Sequence, residues 1–229
     1  MKSKDMKKMR KKLTKVNRAD YDPMQGVPKA DMTINLENRP DQDNKTGSEA
    51  ESEDTANESQ VFRVEFARSK ELSEENFSQC LDLFNRNMGA LYRNSSWGLN
   101  LEEKSEELKH ENARFLLLLN QTNGLAGFVH FRFDHDDDDN PTQPVLYVYE
   151  IQIDELYRRY GLGKKLMDMV ENVATAAEMD KVMLTVFKQN KAAMTFYEKL
   201  NYIVDKNSPS ASGTTADYEI LSRQMTKTG

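Results

Sequence analysis

Between Val61 and Arg223 the apolar positions change period from segment to segment, and each period predicts an element. Val61-Phe62-Arg63-Val64-Glu65-Phe66 alternates with a repeat of two, the signature of a strand. Phe77, Cys80, Leu81, Phe84, Met88 and Leu91 recur at helical spacing. Ser73 can cap that helix, with Glu74 and Glu75 in its first turn. Asn100 can cap a second, short helix through His110, with Glu103 in capping-box position. Arg114 to Asn120 is an apolar run that reads as a buried strand. Thr122-Asn123-Gly124 then turns the chain into a partner strand from Leu125 to Asp134. Val145 to Ile153 is a central strand and Leu162 to Glu178 a helix. Val182–Phe187, Lys191–Leu200, Tyr202–Asp205 and Asp217–Arg223 follow as strand, helix, strand and strand. There is no internal repeat. This order predicts an α/β (α+β) domain, residues 61–229, with a mixed and mostly antiparallel sheet between helices on both faces.

Residues 1–60 carry no such pattern, and charge is what distinguishes them. Residues 1–20 hold nine Lys/Arg against Asp5 and Asp20, and residues 21–60 hold three Lys/Arg against ten acids. A basic arm followed by an acidic polar linker is expected to be disordered. Met6, Met9 and Leu13 can give the arm a helical face. Lys7-Lys8-Met9-Arg10-Lys11-Lys12 reads either as a solvated arm or as a nuclear-import or nucleic-acid patch.

Over the 229 residues, mean hydropathy is −0.80 and 31% of residues are charged. No apolar run approaches the ~18 residues that span a membrane, and the N-terminus lacks the apolar segment of a signal peptide. Cys80 is the only cysteine, so an intrachain disulfide is excluded and a reducing compartment fits. One cysteine and three histidines (His110, His130, His135) show no metal-ligand spacing.

The segment Glu150-Ile151-Gln152-Ile153 … Arg158-Arg159-Tyr160-Gly161-Leu162-Gly163-Lys164 carries the most chemistry. It is a strand, a glycine turn and a helix start. Glycine lets backbone approach a ligand, and the unpaired amides of a helix N-terminus face an anion. A pyrophosphate held by those amides, with Arg158, Arg159 and Lys164, is the implied function. The Gly-x-Gly-x-x-Gly spacing of dinucleotide folds is absent. Downstream, Asn190-Lys191-Ala192-Ala193-Met194-Thr195-Phe196-Tyr197-Glu198-Lys199-Leu200-Asn201-Tyr202 forms a second block.

Together the two blocks resemble the acyl-CoA signatures of the GNAT acetyltransferases, with Asn201-Tyr202 where the second signature has Gly-Phe. The resemblance implies the GNAT fold and acetyl-CoA as co-substrate, with no metal. It implies that Ile151, Gln152 and Ile153 pair with the pantetheine amides. Arg158, Arg159, Tyr160, Gly161, Leu162, Gly163 and Lys164 would hold the pyrophosphate. Asn190 either contacts CoA or caps its helix. Glu150 becomes the candidate base, or else a hydrogen-bonded strand carboxylate. Tyr197 becomes the candidate acid for the leaving thiolate, or else a packed aromatic.

Further blocks narrow the branch. Tyr92-Arg93-Asn94-Ser95-Ser96-Trp97-Gly98, Phe131-Arg132-Phe133-Asp134, Leu146-Tyr147-Val148-Tyr149-Glu150, Ser208-Pro209-Ser210 and Tyr218-Glu219-Ile220-Leu221-Ser222-Arg223 resemble N-alpha-acetyltransferases acting on the terminal serine of core histones. The resemblance implies histone tails beginning Ser-Gly-Arg-Gly (histone four and histone two-A) as substrate. Tyr92, Trp97, Tyr147, Tyr149 and Tyr218 would wall a narrow pocket. Asp134 and Asp136 would pair with the substrate arginine, and Thr185, Asn207 and Ser208 would face the peptide. Against this, Asp136–Asp139 also reads as a solvated loop, and the tyrosines as ordinary strand residues. Strict alternation puts Tyr147 and Tyr149 on one face of their strand and Glu150 on the other, so a bulge is needed to unite them.

An α-amine has a pKa of ~7.7–8.0 against ~10.4 for lysine, so it needs only modest base help. The expectation is a monomer of the nucleus and cytoplasm, without membrane contact, with nucleic-acid contact open for the basic arm. Two alternatives remain: a lysine or small-amine acetyltransferase, and a non-catalytic acyl-CoA- or histone-binding module.

Overall fold

The computed structural model describes residues 3–18, 20–25, 32–35, 59–137 and 141–226. Five helices, α1 (Ser3–Val16), α2 (Glu74–Arg93), α3 (Leu101–Lys109), α4 (Leu162–Ala176) and α5 (Lys191–Lys199), surround one sheet. Its strands are β1 (Met32–Asn35), β2 (Ser59–Arg68), β3 (Arg114–Leu119), β4 (Leu125–His135), β5 (Pro144–Ile153), β6 (Lys181–Phe187), β7 (Ile203–Val204) and β8 (Tyr218–Gln224). They lie in the order β1-β2-β3-β4-β5-β6-β8-β7. Among the described residues, only β5 and β6 pair in parallel.

The elements form where capping and periodicity place them. The Ser73 side chain accepts from the Asn76 amide at the start of α2, and Asn100 accepts from Glu102 and Glu103 at the start of α3. The six residues of β3 are all buried, which is why its sequence is continuously apolar. Leu116 and Leu118 point into a core with Leu166, Val170 and Val173 of α4. Phe115, Leu117 and Leu119 point into a second core with Cys80, Leu83 and Phe84 of α2 and Leu108 of α3. Each such side chain contributes about 1.5–3 kcal/mol on full burial. The thiol of Cys80 is buried, and burial raises its pKa.

The N-terminal arm departs from the expected disorder. Residues 3–16 form a helix that buries Met9 and packs Leu13 and Val16 into the α4 side of the core. Lys12 Nζ donates to the Glu178 carbonyl at 2.9 Å, Arg114 donates to Val16 O at 2.8 Å, and Asn17 donates to Phe133 O at 3.2 Å. β1 then adds a strand, with Met32 opposite Phe62. Composition weighs the charges of this segment, but its apolar stripe decides the outcome once a sheet face is there to cover. The remainder of the acidic linker, and Asp138 and Asp139, lie outside the described residues.

Candidate active site

The site begins where two strands part. β5 and β6 are in register from Val145↔Lys181 to Val148↔Leu184, and the pairing ends there. Beyond that point β5 pairs with β4, from Glu150↔His130 to Ile153↔Gly127. A cleft open to solvent fills the gap. Tyr149, Glu150 and Ile151 line it from β5, and Thr185 and Phe187 from β6. Tyr92 and Trp97 enter from α2 and the loop after it, and Asn190 and Tyr197 from α5.

The required bulge is present. Phe131 pairs with Val148 while its neighbour His130 pairs with Glu150, so Tyr149 is the extra residue on β5. The bulge shifts the alternation. Leu146 and Val148 lie in the α4 core, with Ile151 and Ile153 packed against it. Tyr147, Tyr149, Glu150 and Gln152 therefore share the α2–α3 side. The Tyr149 ring stacks on His130 at 5.0 Å and tilts against Tyr147 at 5.2 Å, and Arg132 lies over it at 4.3 Å. The Tyr147 and Thr185 hydroxyls are hydrogen-bonded to each other.

Glu150 is buried under the cleft in a polar chain that only the fold assembles. Lys104 Nζ of α3 donates to its Oε1 at 2.8 Å, and Gln152 Nε2 donates to its Oε2 at 2.7 Å. Asn87 of α2 donates to Gln152 Oε1 at 2.9 Å and accepts from Arg158. Lys104 also donates to Glu107 at 2.6 Å. Burial pushes the Glu150 pKa upward, against the lowering pull of the Lys104 ammonium, and the net direction is up. Opposite Glu150, His130 is fully buried, and neither ring nitrogen has a hydrogen-bond partner among the described residues. Burial, with Arg132 nearby, drives its pKa well down, so the ring is neutral.

Tyr197 is buried against Phe196 and Tyr202 and lines the cleft. Burial, then the charge of Glu150, raises its pKa, which keeps the phenol protonated and able to donate. Asn190 caps α5, accepting from the Ala193 amide at 3.2 Å, and lines the cleft as well.

In the loop that follows β5, Gly161 is the N-cap residue of α4, with φ 79° and no side-chain cap. A Cβ there would meet nothing within 4 Å, so the approach to the first α4 amides is open. At Gly163 a Cβ would come within 3.4 Å of Phe196, so that glycine lets α4 sit close to α5. Uncapped amides of a 15-residue helix, beside a β5 edge that β6 leaves after Val148, fit a pyrophosphate and an extended pantetheine. Two of the loop's cations are bonded within the chain. Arg158 donates to Ile153 O at 3.0 Å and to Asn87, tying β5 to α2, and Lys164 bonds to Asp168 at 2.6 Å. Arg159, at φ 74°, and Tyr160 belong to the loop itself.

The aromatic wall forms from distant segments. Trp97, 49% exposed, lies 6.0 Å from Tyr92, 5.1 Å from Phe187 and 5.2 Å from Tyr218. Asp217 pins the loop before Trp97 by accepting from the Ser96 amide at 2.7 Å.

Four residues expected to contact substrate are bonded within the chain. The Asp136 carboxylate is buried and accepts from Thr142 and the Gln143 amide, with Lys181 Nζ at 3.8 Å, so it closes its own loop. Asn207 donates to the Asp136 carbonyl at 2.8 Å. The Ser208 hydroxyl donates to Glu219 and accepts from the Ile220 amide. The short polar side chains of this region satisfy the backbone of the loops before β5 and β8. Asp134 stands two residues past Arg132 on β4, outside the cleft lining, and accepts from the His135 amide at 2.9 Å.

Sequence reading missed Lys104, Glu107, Asn87 and Phe187. Lys104 lies within Glu102-Glu103-Lys104-Ser105-Glu106-Glu107, which has the pattern of an ordinary solvated helix face, so no local signal marks it. Among the described residues, no three His, Cys, Asp or Glu side chains converge to hold a metal, and no helix is long and apolar enough to cross a membrane.

Comparison with known proteins agrees with this geometry. Residues 77–202 match the Acetyltransferase (GNAT) family. N-alpha-acetyltransferase 40 of Saccharomyces cerevisiae is 26% identical over 171 residues, covering 66% of this chain and 60% of the yeast protein. This chain thus spans less than two thirds of that relative. A GNAT-family acetyltransferase of Staphylococcus aureus superposes with a TM-score of 0.54 at 16% identity, over 71% of this chain and 99% of the other. A chain of the NatC complex bound to Gag peptide and CoA gives 0.52 at 18%, over 71% and 99%. At these identities the two structures establish the fold.

Proposed function

The chain belongs to the GNAT acetyltransferase family, whose co-substrate is acetyl-CoA, and on that premise we propose that it acetylates the α-amine of protein N-termini. The substrate of this reading is the serine terminus of core histone tails that begin Ser-Gly-Arg-Gly. This is the activity of N-alpha-acetyltransferase D, exercised in nucleus and cytoplasm. The likeness to yeast N-alpha-acetyltransferase 40 supports the α-amine part.

The observation that carries the proposal is the bulge at Tyr149. It sets Tyr149 and Glu150 in the cleft lining beside the wall of Tyr92, Trp97 and Phe187, with Tyr147 bonded to the Thr185 of that lining. A chain terminus entering end-on meets rings on both flanks and a carboxylate beneath. A carboxylate as the base, here Glu150 in its ion pair at 2.8 Å with Lys104, favours the α-amine over lysine. Even with the upward shift that burial gives Glu150, a carboxylate is a weaker base than either amine. It suffices for an amine of pKa ~8, already partly neutral at pH 7.4, and falls short for one of ~10.4.

When bound, acetyl-CoA supplies an activated thioester carbonyl. Glu150 accepts the proton released as the amine nitrogen forms its bond to the carbonyl carbon, directly or through a water. Tyr197 donates a proton to the sulfur as the carbon–sulfur bond breaks. The α4 amides and the β5 edge orient the carrier. The direct test is acetyl-CoA with a Ser-Gly-Arg-Gly peptide beside its α-blocked copy carrying a lysine. Mass mapping should find acetyl on the free terminus alone; equal labelling of the lysine would favour a side-chain acetyltransferase.

A further inference from the structure

A buried carboxylate can act as a base only if something keeps it ionised, and Glu150 is nearly sealed. Its side chain is 4% exposed, and that of Lys104 is 7% exposed. Lys104 does not line the cleft, so it touches neither substrate. It is nonetheless held as tightly as a catalytic group. Its ammonium donates to Glu150 at 2.8 Å and to Glu107 at 2.6 Å, and it lies 4.7 Å from the Phe84 ring centre and 5.5 Å from that of Tyr92. A solvated helix lysine has no reason for such a site. Two carboxylates and two ring faces offset the cost of removing this charge from water.

We propose that Lys104 is a positioning residue that keeps Glu150 ionised and fixes the direction in which its carboxylate faces the cleft. One oxygen is held by Lys104 and the other by Gln152, so the plane of the carboxylate is set by α3 at one side and by its own strand at the other. Gln152 is braced by Asn87, and Asn87 by Arg158 of the loop before α4. The other cations nearby bond elsewhere: Arg132 lies over Tyr149 and donates to the Glu107 carbonyl, and Arg158 donates to Ile153 O and to Asn87. Around Glu150 itself, Tyr92 comes from α2, Glu107 from α3, neutral His130 from β4 and Tyr197 from α5. Remove the ammonium and the carboxylate faces a second carboxylate, two phenols and a neutral imidazole. Its remedy is to take up a proton, and a protonated Glu150 accepts nothing from the amine.

The inference rests on the proposed role of Glu150, so its test is read without turnover. In the full-length chain, the side-chain carboxyl of Glu150 is followed by carbon-13 NMR titration, in wild type and in Lys104→Met. The midpoint should move to higher pH by at least one unit, a tenfold rise in proton affinity. An unmoved midpoint overturns the assignment, whatever the activity. Should Lys104→Met fail to fold, Glu107→Gln serves. Its side chain is 29% exposed, and the change leaves the ammonium to Glu150 alone. The midpoint should then fall, and a midpoint that stays or rises counts against Lys104. Turnover is measured separately. The acid limb of kcat/KM in Lys104→Met should move with the NMR midpoint while the KM for acetyl-CoA holds. Adding Lys104→Met to Glu150→Gln should cost nothing more, because Lys104 acts through Glu150; a full additional loss would overturn that route. A wild type inactive on every amine, with the NMR shift intact, would strike the function and leave the ion-pair assignment standing.

Discussion

The two halves of β5 do opposite work from one strand. From Val145 to Val148 it is flanked by β4 and β6, and Leu146 and Val148 lie in the α4 core. From Glu150 to Ile153 it keeps β4, β6 turns away, and the α2–α3 side carries an ionic and amide chain instead of a hydrocarbon core. The single residue between them, Tyr149, changes both the facing and the chemistry. A bulge therefore does in one position what no alternation of residue types can: it turns the adjacent Tyr149 and Glu150 toward the same cleft.

The largest separation between the halves should come from Glu150→Gln. Shape is kept and proton acceptance is lost, so the rate at pH 7 should fall by about 10²–10⁴-fold. Part of that loss should return above the pKa of the α-amine, where the amine is neutral unaided. Burial raises the Glu150 pKa, so the wild-type rate should fall as acidity increases through a window above the usual carboxylate range. A steady-state pH profile checks both. A loss equal at every pH would make Glu150 an orienting group instead.

In the paired half, Leu146→Ala should cost about 2–5 kcal/mol of stability, because a fully buried side chain leaves a cavity. Denaturant unfolding measures it, and kcat per folded molecule should stay near wild type. A kinetic defect of the Glu150→Gln kind would erase the distinction between the halves.

Gly161→Glu tests the far end of the open half. Its backbone is left-handed, and the change adds both strain and a negative charge at the α4 amides. Acetyl-CoA affinity should fall more than tenfold, about 1.4 kcal/mol. Calorimetry that returns wild-type affinity from a folded variant removes the pyrophosphate from this loop.

The smallest effect belongs to Asp134→Ala. Its side chain is 37% exposed and outside the cleft lining, so any pairing with a substrate arginine is worth about 0.2–1 kcal/mol. The apparent peptide constant should rise less than about fivefold. In a mutant-by-peptide cycle, simply additive penalties would mean that the two groups do not pair.

Much of this was legible in the chain itself. The elements of residues 61–224 follow from period, caps and turns, because those signals act within a few residues. The glycine turn before α4 was readable for the same reason: glycine permits a left-handed turn at no steric cost, and Gly161 takes one. Glu150 and Tyr197 were found through motif resemblance, and the fold brings both to one cleft. What the chain could not disclose depends on residues that meet only after folding. Lys104 and Glu150 are 46 positions apart, and each has an ordinary neighbourhood in sequence. Asp136 and Ser208 offered polar groups suited to a peptide, but nearby backbone claimed them first. The basic arm reads as disordered by composition until the sheet supplies a surface for Leu13 and Val16. Periodicity is a local property and survives in the sequence. A charge's partner and a helix's landing site are decided by which surfaces the tertiary structure brings within a few ångströms, and that is written nowhere along the chain.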